Sequence, residues 1–307
     1  MTKDELLMSL YELLGTVEVG LIFGLVALGA FITFKILDFP DLTVEGSFPL
    51  GAAVVAVLIV NFGWNPWVAT LVAAAAGFSA GFVTAYLNVR FNILHILSGI
   101  LISISLYSIN LRIMGGPNKP LLGAHTIFSV VQDFGLPPYV LTPLLVAVIV
   151  GALKLALDLF LRTGIGMNMR AAGANPAMAA ANGVNVGRMK LLGLGMANGL
   201  TALAGAMFAQ SFGAADAYMG IGVIIIGLAS VIVGMSLLPV RSMAQATLAC
   251  LIGALLYRFA VAFSLNAEFL GLKASDVQLV TAVLVVVTLI SQGSRSGVSR
   301  LIRRKAA

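Results

Sequence analysis

The polar run DFPDLTVEGS, Asp38 to Ser47, lies between two stretches too apolar for water and holds a dense set of reactive side chains. Asp41, Thr43, Glu45 and Ser47 recur at every second position. Carboxylates and hydroxyls at membrane depth suit a path for a polar solute, because broken helices that line water-filled routes mark transporter binding sites. Pro40 and Gly46 supply the helix breaks in this reading. A solvated turn, whose hydroxyls cap the next helix, uses the same residues in a blander way. Sequence leaves both readings open.

Other groups are more scattered. Arg258 interrupts the apolar run ALLYRFAVAF, and an arginine inside a membrane span is by default a functional candidate. Its long stem could equally snorkel to the outer interface; facing the bundle, it would look for Glu18 or Asp276. Ser98, Ser103, Ser105, Ser108 and Asn110 share one apolar run, and Asn198 and Gln210 share another. Such groups bond between helices or back to their own carbonyls as readily as they line a path. Ser103 and Asn198 join Asp41, Thr43, Glu45, Ser47 and Arg258 as candidates for that path. Lys154 and Asp158 are four apart and should pair on one helix face.

Several chemistries are excluded. No Gly-rich loop ends in Gly-Lys-Ser or Gly-Lys-Thr, so this chain cannot cradle ATP. One cysteine, Cys250, gives neither a disulfide framework nor a thiolate metal site, and His95 and His125 have no second ligand at metal spacing. No nucleophile–base pair emerges, so no catalytic, metal or cofactor site is expected and the chain is not read as an enzyme. GLGMANG, Gly193 to Gly199, follows no strand and is not a dinucleotide loop.

The elements that position these groups are set by composition. With 60% hydrophobic and 10% charged residues in 307, the chain is an integral membrane protein, and its net charge of +6 reflects membrane sidedness, with no nucleic-acid partner implied. Apolar windows long enough to cross about 30 Å of hydrocarbon fall near 16–36, 47–62, 67–87, 94–111, 139–161, 189–211, 219–238, 243–264 and 276–292. An all-α membrane protein of about nine spans is expected, since none of these windows alternates as a barrel strand would. The second window is the weakest, because Gly46, Pro49 and Gly51 crowd its start. Small-residue pairs, Gly77 with Gly81, Gly195 with Gly199 and Gly227 with Ser230, predict close helix approach.

Lys35, Arg90, Arg162, Arg170, Arg188, Lys190 and Arg241 fall on one side with the basic tail 293–307. Basic residues mark the cytoplasmic side. The N-terminus is then outside, with 1–14 an amphipathic segment along the outer surface, and the long connector 112–138 forms an external lip. The whole of 1–307 reads as one transmembrane domain with no signal peptide.

The cytoplasmic connector 162–190, RTGIGMNMRAAGANPAMAAANGVNVGRMK, carries only positive charges and has small residues throughout. A short helix with so little side-chain bulk is suited to being gripped by a soluble partner.

Three stretches together give the chain a family likeness: GLIFGLVALGAFITF (Gly20 to Phe34), DLTVEGSFPLGAAV (Asp41 to Val54) and TGIGMNMRAAGANPAMAAANGVNV (Thr163 to Val186), the last followed by GLTALAGAMFA. Over nearly its full length the sequence resembles the permease subunits of bacterial ABC importers of the branched-chain amino acid and ribose type. FPDLTVEGSF is similar to a subgroup linked to amino acids such as tryptophan. The resemblance implies a type II importer fold similar to the vitamin B12 permease, placed in the bacterial inner membrane. It implies a second permease copy, ATPase subunits that bind the ATP, and an extracytoplasmic substrate-binding protein. It also implies that Gly164, Arg170, Ala171, Gly173, Asn175, Ala181 and Gly183 couple to the ATPase. The vitamin B12 type has ten helices, so nine would correspond to losing the first. An ion-coupled secondary transporter, with Asp41, Glu45 or Arg258 titrating, is the rival class.

Overall fold

The computed structural model describes residues 3–129 and 138–266, together with Val283 and Val286, both helical. Ten α-helices run in the order α1 (Lys3–Ala30), α2 (Val44–Val60), α3 (Pro66–Phe91), α4 (His95–Met114), α5 (Pro138–Arg162), α6 (Gly164–Ala174), α7 (Pro176–Ala181), α8 (Val186–Phe212), α9 (Val223–Leu237) and α10 (Met243–Asn266). Among the described residues, six helices are long and apolar enough to cross a membrane, and α2 and α9 are shorter apolar helices. An all-α membrane protein follows. The ninth expected span, 276–292, and the tail 293–307 lie outside the described residues apart from Val283 and Val286.

Local chemistry explains the boundaries. Asn65 caps α3 by accepting from the Trp67 N–H at 2.9 Å, with Pro66 at the first helical position, where its missing N–H costs nothing. Gly115 and Gly213 end α4 and α8 in the left-handed conformation that a side chain would resist. The first helix ends at Ile36, where the apolar window 16–36 places it, but its last turn is not α. It passes into a π-helical turn, Phe31–Ile36, and the chain then breaks at Asp38, whose φ is +51°.

Glycine governs the packing. A Cβ on Gly51 would lie 1.8 Å from the Ala202 carbonyl oxygen, and one on Gly205 would lie 1.9 Å from that of Phe48, so α2 and α8 touch backbone to backbone. Gly77 and Gly81 on α3 face the Asn198 and Leu194 carbonyls of α8 at 2.5 and 2.1 Å by the same measure. The other two pairs are mixed: Gly195 makes room for the Phe78 ring and Gly227 for Val26 and Ala30, whereas a Cβ on Gly199 would meet the Ala74 carbonyl at 3.3 Å and the Ser230 carbonyl lies 2.0 Å from where a Cβ on Gly253 would be.

These contacts make α8 the central post. α1 and α8 are each 72% buried along their apolar windows, against 22% for α4 and 28% for α5. A membrane protein covers such exposed apolar faces with lipid or with another helix.

Two expectations change. Gly46 is not a helix break: it lies inside α2 and lets α4 approach, where a Cβ would sit 3.0 Å from the Ser103 Cα. The second window, expected as the weakest, is helical as the shorter apolar helix α2 with Pro49 inside it. The missing proline N–H leaves the Glu45 carbonyl without its helical donor, and that oxygen turns to the backbone of Gly220, 1.9 Å from where a Cβ would be. The seventh span starts later than residue 219, because Gly222, at φ +80°, precedes its first turn. Two short strands, β1 (Asn118–Pro120) and β2 (Ala214–Asp216), pair antiparallel and tie the chain after α4 to the end of α8; residues 130–137 of the expected 112–138 lip lie outside the described residues.

Candidate functional site

Asp41, Thr43, Ser47 and Asn198 come together, and all four are fully buried. Asp41 accepts the Thr43 N–H at 2.9 Å through one carboxylate oxygen and the Asn198 side-chain N–H at 2.6 Å through the other. Ser47 donates to the Asn198 carbonyl oxygen at 2.8 Å. The hydroxyls of Thr43 and Thr84 meet at 2.8 Å, and Thr84 also donates to the Ala80 carbonyl. The broken segment 37–43 is thereby fastened to α2, α3 and α8 at one point. Burial pushes the Asp41 carboxyl above the ordinary range, against the pull of its bonds from Thr43 and Asn198.

The expected hydroxyl cap of the turn is not made. Thr43 precedes α2 but makes no side-chain cap; its hydroxyl goes to Thr84 instead. Nor do these groups line an open path in this conformation, because none of them is exposed. Glu45 stands apart, half-buried, where it accepts from the Gly222 N–H at 3.2 Å and so links α2 to the start of α9. Ser103 sits on α4 behind Gly46, and Arg258 on α10 beside Gly20; neither is hydrogen-bonded to the Asp41 cluster. Glu18 bonds to Ser211 rather than to Arg258, and Asp276 lies outside the described residues. The one ion pair among the described residues is the expected Lys154–Asp158, and Asp158 also accepts from Thr247 at 2.6 Å.

The connector folds as two short helices joined at a corner. Thr163 caps α6 by accepting the Gly166 N–H at 3.3 Å. Asn175 ends α6 and caps α7 through the Met178 N–H at 3.0 Å, followed by Pro176 at the first helical position. Gly183 takes a φ of +82° to turn the chain, and Asn185 caps α8 through Arg188 at 3.0 Å. Gly164, Arg170, Ala171, Asn175, Ala181 and Gly183 are all exposed. Gly173 is not like them: a Cβ there would lie 1.8 Å from the Ile36 carbonyl, so it presses α6 onto the π-helical turn. Met169, fully buried, anchors the same face beside Gly193. Ile165, Met167 and Met178 are about half or more exposed on the other side, giving the helix pair a bare, softly apolar surface.

Sequence reasoning missed Thr84, and no local signal marks it, since a lone threonine in an apolar helix resembles any packing residue. It also missed Lys190, which donates to Asn88 at 3.1 Å and meets His95 at 3.2 Å, while His95 packs on Phe39 with ring centroids 4.2 Å apart. That cluster packs against Phe39 of the broken segment. Lys190 lies 102 residues from Asn88 and 95 from His95, so spacing could not have revealed the cluster.

Comparison with known proteins agrees with the arrangement. Residues 13–291 match the family described as branched-chain amino acid transport system, permease component. A tyrosine transport system permease protein of Clostridioides difficile (strain R20291) is 41% identical over 267 residues, covering 87% of this chain and 86% of its own. An uncharacterised protein of Rickettsia prowazekii (strain Madrid E) is 32% identical over 284 residues, covering 91% and 97%. No solved structure gave a match. Multi-pass apolar helices, a compact basic connector and a family match over most of the length converge: the chain belongs to the permease-component family of branched-chain amino acid transport systems.

Proposed function

We propose that this chain is the membrane-spanning subunit of an ATP-driven importer that carries an amino acid across the bacterial inner membrane. Two copies would form the translocation unit, with ATPase subunits on the cytoplasmic face and a substrate-binding protein outside, in a type II arrangement similar to the vitamin B12 permease. ATP is bound by the ATPase and not by this chain. The tyrosine permease among its relatives favours an aromatic substrate.

The exposed α6–α7 pair is the observation that carries the reading. Arg170, Ala171, Asn175, Ala181, Gly164 and Gly183 face outward on a short lever whose other face is seated by Gly173 on the π-helical turn. Closure of an ATPase dimer would push that lever, and the turn would pass the movement along Leu37–Thr43 to the Asp41 cluster between α3 and α8. Two packed arrangements of such a cluster would serve alternating access. The interlocked hydrogen bonds favour movement between discrete states over gradual deformation.

Ala171→Trp tests it. The bulky ring fits the exposed face without touching the fold, so the variant should reach the membrane normally. In proteoliposomes with the ATPase and binding protein, uptake should fall at least about tenfold while ATP hydrolysis persists, since coupling energies of a few kcal/mol are at stake. Uptake equal to the unaltered importer would contradict the assignment, and uptake by this chain alone under an ion gradient would favour the ion-coupled class.

A further inference from the structure

At the end of the bundle opposite the α6–α7 lever, α1, α5 and α8 enclose a pocket of about 510 Å³. We propose that this pocket binds a primary ammonium group carried beside an aromatic ring, with Glu18 as its counter-charge.

Its walls supply the matching chemistry. Among the described lining residues, Glu18 is the one formally charged side chain. Its carboxylate accepts from the Ser211 hydroxyl, and among the described residues no cation lies within ion-pair distance of it. Tyr11, Phe128 and Tyr139 face the same space, and the Tyr11 and Tyr139 rings stand 6.1 Å apart between centroids. An ammonium is attracted both to a carboxylate and to ring faces, and an aryl group packs on the same rings. The volume falls in the ~300–1,000 Å³ of small-molecule sites.

The ligand's polarity follows from what is absent. Gln210 lines the pocket, but its amide is committed: it accepts the Ile127 N–H at 3.0 Å and donates to Thr70 at 2.9 Å and Ala206 at 3.2 Å. Among the described residues, no lysine, arginine or histidine lines the space to meet a carboxylate. An aromatic amine therefore fits at least as well as the zwitterionic amino acid, whose carboxylate must stay at the open mouth. The site is also separate from the Asp41 cluster. Gln210 and Asn198 are twelve positions apart on α8, about 18 Å along the helix.

The inference rests on the importer reading only for the side of the membrane to which the pocket opens. The test uses the full chain alone, in nanodiscs of phosphatidylcholine, which carries no primary amine. Radiolabelled tyramine should bind saturably. Tyrosine should compete no better than tyramine, and 3-(4-hydroxyphenyl)propionate, which lacks the nitrogen, should not compete. Glu18→Gln should weaken tyramine by about tenfold or more, the loss of one charge-assisted contact. Tyr11→Leu alters a position that is 63% exposed, where folding is not at stake, and should weaken it about threefold or more. Absence of saturable binding, unchanged affinity in Tyr11→Leu, or equal competition by the propionate would overturn the proposal. So would displacement of tyramine by added phosphatidylethanolamine, which would hand the pocket to a lipid headgroup. Uptake by the assembled importer is scored separately: uptake without tyramine binding overturns the pocket and leaves the importer standing, whereas tyramine binding without uptake supports the pocket and counts against the importer.

Discussion

Asp41 shows how much a single buried group decides. It holds Thr43 and Asn198 at once, and a partner-less N–H left in that site has no water to turn to. Asp41→Leu should therefore cost about 3 kcal/mol, the penalty for stranding buried donors. Asp41→Asn should cost about 1 kcal/mol, because the Asn198 amide can flip and let the Ser47 hydroxyl accept in its place. Thermal unfolding in detergent measures both. The pH dependence has a definite sign. Burial raises the folded-state pKa of Asp41 above its unfolded value, so its contribution to stability is fully present below about pH 3.9 and is lost as pH rises through the folded value. The unfolding midpoint of the native chain should fall across that window more steeply than that of Asp41→Asn; equal slopes would remove Asp41 from the titration. The sequence showed Asp41, Thr43 and Ser47 as one polar run. It did not show that Asn198 and Thr84 complete the cluster, because hydrogen bonds spanning 157 and 41 residues leave no trace in local spacing.

Among the helices, legibility followed the apolar windows. Most spans could be read from hydropathy, and their ends departed where backbone contacts intervened. Gly46 and Pro49 look like breakers in isolation, yet α2 runs through both, because packing against α4, α8 and Gly220 outweighs local propensity. Close approach also sorts the glycines by consequence. Gly51→Ala would drive a methyl into the Ala202 carbonyl of α8, where backbone cannot yield. A loss of about 3 kcal/mol or more is expected, at or beyond the usual cost of overpacking. Gly151→Ala on α5 meets nothing within 4 Å and should be neutral or gain up to about 1 kcal/mol of helix propensity. Folded yield and unfolding midpoint of the two variants check the contrast, and similar behaviour would argue against the α2–α8 contact.

The molecule as a whole is polarised between two ends. Lys35, Arg90, Arg162, Arg170, Arg188 and Arg241 gather where α6 and α7 lie, while Glu12, Glu18 and Asp216 belong, with Arg112 and Lys119, to the end that holds the β1–β2 pair. Between them, the bare faces of α3, α4 and α5 are left for lipid or a second copy. The gathering of basic residues around the connector was legible in the sequence, whereas the seat of the lever on the π-helical turn was not, since Gly173 looks like any other small residue of the connector. The most direct measurement is labelling of Met178→Cys, at a position 65% exposed on α7, in oriented vesicles; the native thiol of Cys250 is buried and does not compete. An impermeant maleimide should reach the introduced thiol only from the cytoplasmic side and should be excluded once the ATPase subunits are bound. Labelling from the external side, or labelling that the ATPase leaves unchanged, would contradict a lever worked from the cell interior.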